Sequence, residues 1–189
     1  MLISQLKELQ NNLDTLLKNN ELLQNIENTI KEISRALSSN LPVLVFGNGG
    51  SASDALHISA ELVGKFRKNR KAMNVICLNS NVSILTAWAN DFDFNTVYSR
   101  QIEAHGRPNG ICLGISTSGN SVSVVKAFET AKNIGMVNVA LTGNDGGQLK
   151  QYASILLNVP STDTPRIQEL HLPIYHYICE RVEYVQDQE

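Results

Sequence analysis

Excess charge, paired cysteines and long apolar runs are all missing from this sequence, and each absence removes a class of function. Sixteen Lys and Arg against eighteen Asp and Glu leave a net charge of -2. The composition therefore gives no reason to expect nucleic-acid binding, and no block of like charges marks a tail. The one basic concentration is Lys65, Arg67, Lys68, Arg70 and Lys71. It reads first as a solvated helix end, with attraction of an anionic substrate as the alternative. Cysteine occurs three times, at 77, 112 and 179, with no Cys-x-x-Cys. That spacing excludes a disulfide framework and a thiolate zinc site and predicts buried free thiols. The N-terminal MLISQLKELQNNLD lacks the unbroken apolar core of a signal peptide, and no run is long enough to span a membrane. A cytoplasmic protein with neither membrane nor nucleic-acid partner is expected. At 189 residues, 42% hydrophobic and 18% charged, the composition is that of one generous globular domain.

What the chain does contain is a change of pattern near residue 40. Leu2, Leu6, Leu9, Leu13, Leu16 and Leu17 recur at helical spacing over 2–18. Leu22, Leu23, Ile26, Ile30, Ile33 and Leu37 do so over 21–37, with Asn19-Asn20 as the break. This N-terminal helical pair, residues 1–40, is expected to serve assembly. From residue 41 to 189, short apolar runs alternate with helical stretches. VLVF (43–46), NVICL (74–78), ICLGIS (111–116), VNVAL (137–141) and SILLNV (154–159) are nearly continuously apolar, as parallel strands covered on both faces must be. Helices are predicted over 52–66, 81–89, 94–105, 121–134 and 146–151, with a last one from Pro165 to about Val185. The fold class is α/β: a three-layer α/β/α arrangement with a five-stranded parallel sheet behind the helical pair.

Two loops echo one another. GNGGSASDA follows the first strand and STSGNSVSV the third. Ligands of open α/β sheets sit beyond the carboxyl ends of the strands, so the loops are placed to converge on one ligand. Ser116, Thr117, Ser118, Gly119, Asn120 and Ser121 open a helix. One such residue suffices for capping; six in a row favour an anion or phosphate. No Gly-Lys-Ser/Thr follows, which excludes a Walker loop. GNGGSA fits the dinucleotide fingerprint weakly, with Ala52 in the last glycine position, and Asn79-Ser80-Asn81 stands where an acidic residue would hold a ribose. His57 and Glu61 are four residues apart and share a helix face. The last helix carries Arg166, Gln168, Glu169, His171 and His176 in RIQELHLPIYH. Imidazole, carboxylate and amide oxygen suit a zinc-like ion, and equally suit acid–base chemistry. Asn90-Asp91 reads as a turn or cap, or as a pair of sugar-hydroxyl ligands.

Taken together, GNGGSASDALHISAEL, AWANDFDFN, GISTSGNS, LTGNDGG and RIQELH resemble the SIS (sugar isomerase) family over essentially the whole chain. The resemblance implies a homotetramer with active sites at subunit interfaces. It implies Ser116, Thr117, Ser118 and Ser121 on the substrate phosphate, and Asn48, Gly49, Gly50, Asn90, Asp91, Glu61 and Gln168 on the sugar. His57, Glu61, Gln168 and His176 match the family's zinc positions, and Glu61 and His176 its acid/base pair. The implied reaction interconverts sedoheptulose 7-phosphate and D-glycero-D-manno-heptose 7-phosphate. In the family this opens the ADP-heptose pathway to the lipopolysaccharide inner core. Other members act on other phosphosugars, or bind a replication-initiator protein without catalysis. Pro165 stands where some relatives have Asp before the RIQE motif, with Asp163 two residues away. Gln168 and His176 are eight residues apart, about 12 Å along a helix. Either Pro173 kinks the helix between them or a neighbouring subunit supplies one of the ligands.

Overall fold

A computed structural model describes residues 1–188 as seven α-helices packed around one parallel sheet. The strands are β1 (Val43–Gly47), β2 (Val75–Cys77), β3 (Ile111–Ser116), β4 (Val137–Thr142) and β5 (Ile155–Asn158). Their spatial order is β2-β1-β3-β4-β5. Val43 pairs with both Val75 and Ile111, and Ile111 with Val137. The period-2 alternation of a strand sorts the apolar runs onto two faces. Val43, Val45, Ile111, Leu113, Ile115, Val139 and Leu141 enter one core; Leu44, Phe46, Cys112 and Ala140 enter the other.

The first core is closed by α2 (Asn20–Ser38), α3 (Gly50–Val63) and α7 (Thr164–Gln186). The second is closed by α5 (Val97–His105) and α6 (Val122–Ile134). Of the N-terminal pair, α2 is thus one of the sheet's own covering helices, burying Leu22, Ile26, Ile30 and Ile33. Its start is fixed by Asn19, whose side chain accepts the Leu22 N–H at 3.0 Å. In contrast, α1 (Leu2–Leu16) buries only Leu16. Leu2, Ile3 and Leu6 are exposed, and α4 (Val82–Asp91) buries no residue at all. Two apolar helix faces are uncovered in the single chain.

Three expected helices differ in extent or type. The helix expected over 52–66 begins at Gly50, because Gly49, with φ of 56°, turns the chain straight out of β1. The segment 94–105 divides into a 3-10 turn at Phe94–Thr96 and then α5, since the Asp93 carboxylate caps the Asn95 N–H. Residues Gly147–Gln151 form a 3-10 turn rather than an α-helix.

Candidate functional site

The chain leaves β1 toward one face of the sheet and the adjacent β3 toward the other, so a crevice opens between the two following loops. Asn48 spans it: its amide donates to Ser123 Oγ at 2.9 Å. The shape of the glycine loop is imposed from below. Asn79 accepts the Gly47 N–H at 3.2 Å and donates to the Gly47 carbonyl at 2.9 Å. The Tyr98 hydroxyl lies 2.7 Å from that carbonyl and 2.9 Å from Asn48 Oδ1, and accepts from Asn79. Burial holds the Tyr98 phenol above its ordinary pKa and so keeps it a neutral donor.

On the other side of the crevice, Ser116 Oγ donates to Ser121 Oγ at 3.1 Å. Ser121 is the cap residue of α6, yet its side chain makes no capping bond. Its hydroxyl is therefore not spent on the helix, and the positive end of α6 faces the loop. Gly119 has φ of 64°, and a β-carbon there would collide with the Gly146 carbonyl. The segment 143–149 braces the serine loop from behind. Gly143 N–H bonds the Thr117 carbonyl, Leu149 N–H the Gly119 carbonyl, and Gln148 N–H the Asn120 side chain. Ser116 is buried, Thr117 and Ser121 half-buried, and Ser118 exposed.

Gln168 reaches the same end of the molecule. Its amide packs against the bare backbone of Gly50, where a β-carbon would collide with it. Arg166 pairs with Glu169 at 2.6 Å beside it. His171 is fully buried beneath, with Nε2 3.1 Å from the Thr142 carbonyl. Burial lowers its pKa to about 4, so it is neutral and donates that bond.

A second cluster lies further along α3. His57 Nε2 is 3.0 Å from Glu61 Oε1. The His176 ring stands edge-on to His57 with centroids 5.0 Å apart, and Phe66 covers it at 5.7 Å. His176 Nε2 is buried without a hydrogen-bond partner. Beneath the cluster the Tyr175 hydroxyl lies 3.2 Å from His57 Nδ1 and 3.4 Å from Asp54 Oδ1. Burial, then the neighbouring Asp54, push the Tyr175 phenol far up.

The sequence-predicted residues thus fall into three groups. Asn48, Gly49, Gly50, Ser116, Thr117, Ser118, Ser121 and Gln168 lie around the crevice. His57, Glu61 and His176 form the helix cluster. Asn90 and Asp91 sit exposed at the last turn of α4, bonded to one another at 2.8 Å. Pro173 lies inside α7 without ending it, so Gln168 and His176 remain at separate places along that helix. Among the described residues, no group of three or more His, Cys, Asp and Glu side chains converges to hold a metal ion. The donors nevertheless fit zinc in kind: two imidazoles and a carboxylate, with one ring nitrogen buried and unpartnered.

The basic stretch 65–71 is engaged elsewhere. Arg67 pairs with Glu180 and Lys68 with Asp187. Glu183, 2% exposed, takes the backbone N–H groups of Phe66, Arg67 and Lys68 and lies 3.4 Å from Arg70 Nε. Burial raises the Glu183 carboxyl, but these donors outweigh it and hold the group below its ordinary range. The Arg70 guanidinium also donates to the Glu61 carbonyl at 2.9 Å. The stretch is a strap following α3 and tied to α7, with Lys65, Arg67 and Lys71 still exposed to solvent.

Sequence reasoning missed Asn79, Tyr98, Ser123, Asp54 and Tyr175. Only Asn79 had a readable signal, its place at the carboxyl end of the second strand. The others act through contacts between elements distant in the chain.

A hydroxyl-rich loop and a glycine loop face each other across the switch point of a parallel sheet, and residues 6–143 match the SIS domain. The relatives narrow the class. A phosphoheptose isomerase from Crocosphaera subtropica is 48% identical over 158 residues, 84% of this chain and 81% of the relative. The solved phosphoheptose isomerase of Neisseria gonorrhoeae superposes with a TM-score of 0.90 at 34% identity, covering 97% of both chains. That of Francisella tularensis gives 0.89 at 31% identity, covering 97% of this chain and 98% of its own. The chain belongs to the phosphoheptose isomerase family. None of its described helices is long and apolar enough to cross a membrane.

Proposed function

We infer that the protein is an aldose–ketose isomerase converting sedoheptulose 7-phosphate to D-glycero-D-manno-heptose 7-phosphate. The observation that carries this reading is the His57–Glu61 contact of 3.0 Å, beside His176, in a chain of this family that also builds the serine loop. A non-catalytic sugar-phosphate binder has no use for that cluster. In this reading Ser116, Thr117, Ser118, Ser121 and the start of α6 bind the phosphate through hydroxyls and the helix dipole. Asn48, Gly49, Gly50, Gln168, Asn90 and Asp91 orient the sugar. The Glu61 carboxylate takes the proton that moves between adjacent carbons through an enediol, and His176 serves as the partner acid.

Zinc, held by His57, Glu61 and His176 with Gln168 as the fourth ligand, would polarise the substrate carbonyl. His57 and Glu61 stand about two and three helical turns along α3 from Gly50. We therefore assign completion of each site to a neighbouring copy, in a homotetramer with sites at subunit interfaces. The uncovered apolar faces of α1 and α4, with Phe92 and Phe94 exposed beside the latter, support this assembly. Three buried, unpaired cysteines suit a cytoplasmic setting. There the product would enter ADP-heptose synthesis for the lipopolysaccharide inner core.

A coupled assay on sedoheptulose 7-phosphate tests the reading. Turnover is expected, falling at least tenfold after chelation and returning with zinc, from a species of tetrameric mass in light scattering. Absence of turnover with zinc supplied would remove the isomerase assignment. Turnover indifferent to chelator would remove the metal.

A further inference from the structure

We propose that Tyr175, anchored on Asp54, is a positioning residue for the isomerisation: it holds the His57 ring with Nδ1 turned inward and Nε2 aimed at Glu61. The proposal rests on the isomerase reading and assigns a task to two residues that have none in it.

The geometry is a chain of four side chains from two helices. Asp54, His57 and Glu61 stand on α3 and Tyr175 on α7. The Tyr175 oxygen lies 3.2 Å from His57 Nδ1 and 3.4 Å from Asp54 Oδ1, and Nε2 of the same ring lies 3.0 Å from Glu61 Oε1. Tyr175 is 3% exposed, so water does not compete for its hydroxyl, and the other Asp54 oxygen is buried without a partner.

The inventory of donors gives one direction for a ring whose Nε2 is free to hold a cation. An ionised carboxylate only accepts, and a phenol has one proton to give. With that proton directed to Asp54, the phenol oxygen is left to accept, and His57 Nδ1 must be the donor. A ring protonated at Nδ1 turns its Nε2 lone pair toward Glu61, where His57 and Glu61 would hold a cation. With no cation, the 3.0 Å contact needs the proton on Nε2, and the phenol donates to Nδ1 instead, with the ring in the same plane. A backing hydrogen bond of this kind fixes both the tautomer and the plane of an imidazole. Packing adds a second restraint. The His57 ring is edge-on to Tyr175 and to His176, with centroids 5.5 and 5.0 Å away, and these two contacts restrain its plane on the inner side.

Tyr175→Phe removes the oxygen and keeps the ring, which preserves the packing. Two measurements separate orientation from simple loss of structure. The first is the pair of His57 ring nitrogen resonances in 15N-labelled protein, assigned against His57→Asn. The second is the division of any lost activity between kcat and KM on sedoheptulose 7-phosphate. The expected result is a displaced Nδ1 resonance and a kcat lower by ~10-fold to ~100-fold, the range for groups that back a ligating or catalytic histidine, with KM changed less than about twofold. Asp54→Asn, which replaces the anionic acceptor by an amide of the same size, should move both readouts in the same direction by less. Unchanged resonances overturn the proposal whatever happens to the rate. Displaced resonances with an unchanged kcat overturn the catalytic part. A wild-type protein inactive on the substrate fails the isomerase reading instead, and the resonances alone then decide whether Tyr175 orients His57.

Discussion

The two ends of α3 are built on different terms. At its start the loop backbones are held from several directions within one chain: Gly47 by Asn79 and Tyr98, Asn48 by Ser123, and the serine loop by 143–149. Two turns on, the His57 side chain is 40% exposed and Glu61 22% exposed, and His176 has a buried nitrogen with no partner. The first region is braced by the fold, and the second keeps polar groups that the described chain does not pair. The difference has a physical cause. The crevice sits at the switch point of the sheet, where diverging connections let four segments meet. The cluster sits on two parallel helices, which bring side chains together only along one seam.

This contrast is sharpest where activity and stability can be separated. Glu61→Gln belongs to the open region, makes no contact that holds the fold together, and is expected to lower turnover about a thousandfold. Its urea midpoint and oligomeric mass should match wild type. Retained turnover would take Glu61 out of the chemistry. Gly119→Ala belongs to the closed region and has the opposite signature. A side chain at φ of 64°, set against the Gly146 carbonyl, should cost about 2 kcal/mol of stability and weaken inorganic phosphate binding. A variant of normal stability would show that the two loops are free to part.

The smallest effect expected is pH-dependent and also lies in the closed region. The folded-state pKa of His171 is lowered to about 4 from 6.5, so the unfolded chain binds the proton first as pH falls. Stability is full above 6.5 and declines between 6.5 and 4, with roughly 1 kcal/mol lost from this group by about pH 5.5. Urea midpoints at the two pH values, compared with His171→Asn, check it. An equal decline in the variant would place the titrating group elsewhere.

Most of the layout was legible in the sequence. Nearly unbroken apolar runs fit only strands covered on both faces, and all five appear within a residue or two of their predicted limits. Loops rich in glycine and serine stood out because capping alone does not use so many hydroxyls, and Ser121 makes no capping bond but accepts from Ser116. Less legible were the residues that shape the loops. Tyr98 looks like any aromatic on a helix, and only the packing of α5 under β1 brings its hydroxyl to Gly47. The anchoring of the basic stretch was hidden for the same reason, because Glu183, more than a hundred residues away, sits in its middle.

By itself, then, the sequence determined the strand and helix order, the parallel sheet, and the family with its two loops and its His57–Glu61 face. These are local patterns, set by periodicity and turn chemistry over a few residues. Tertiary structure alone decided which groups meet. It placed Gln168 at Gly50 and His176 at His57, separating two of the expected zinc positions that one helix carries, and it set Asp54 and Tyr175 behind His57. A helix spreads residues along its axis by a fixed rise. Which of them share a site therefore depends on what packs beside each turn.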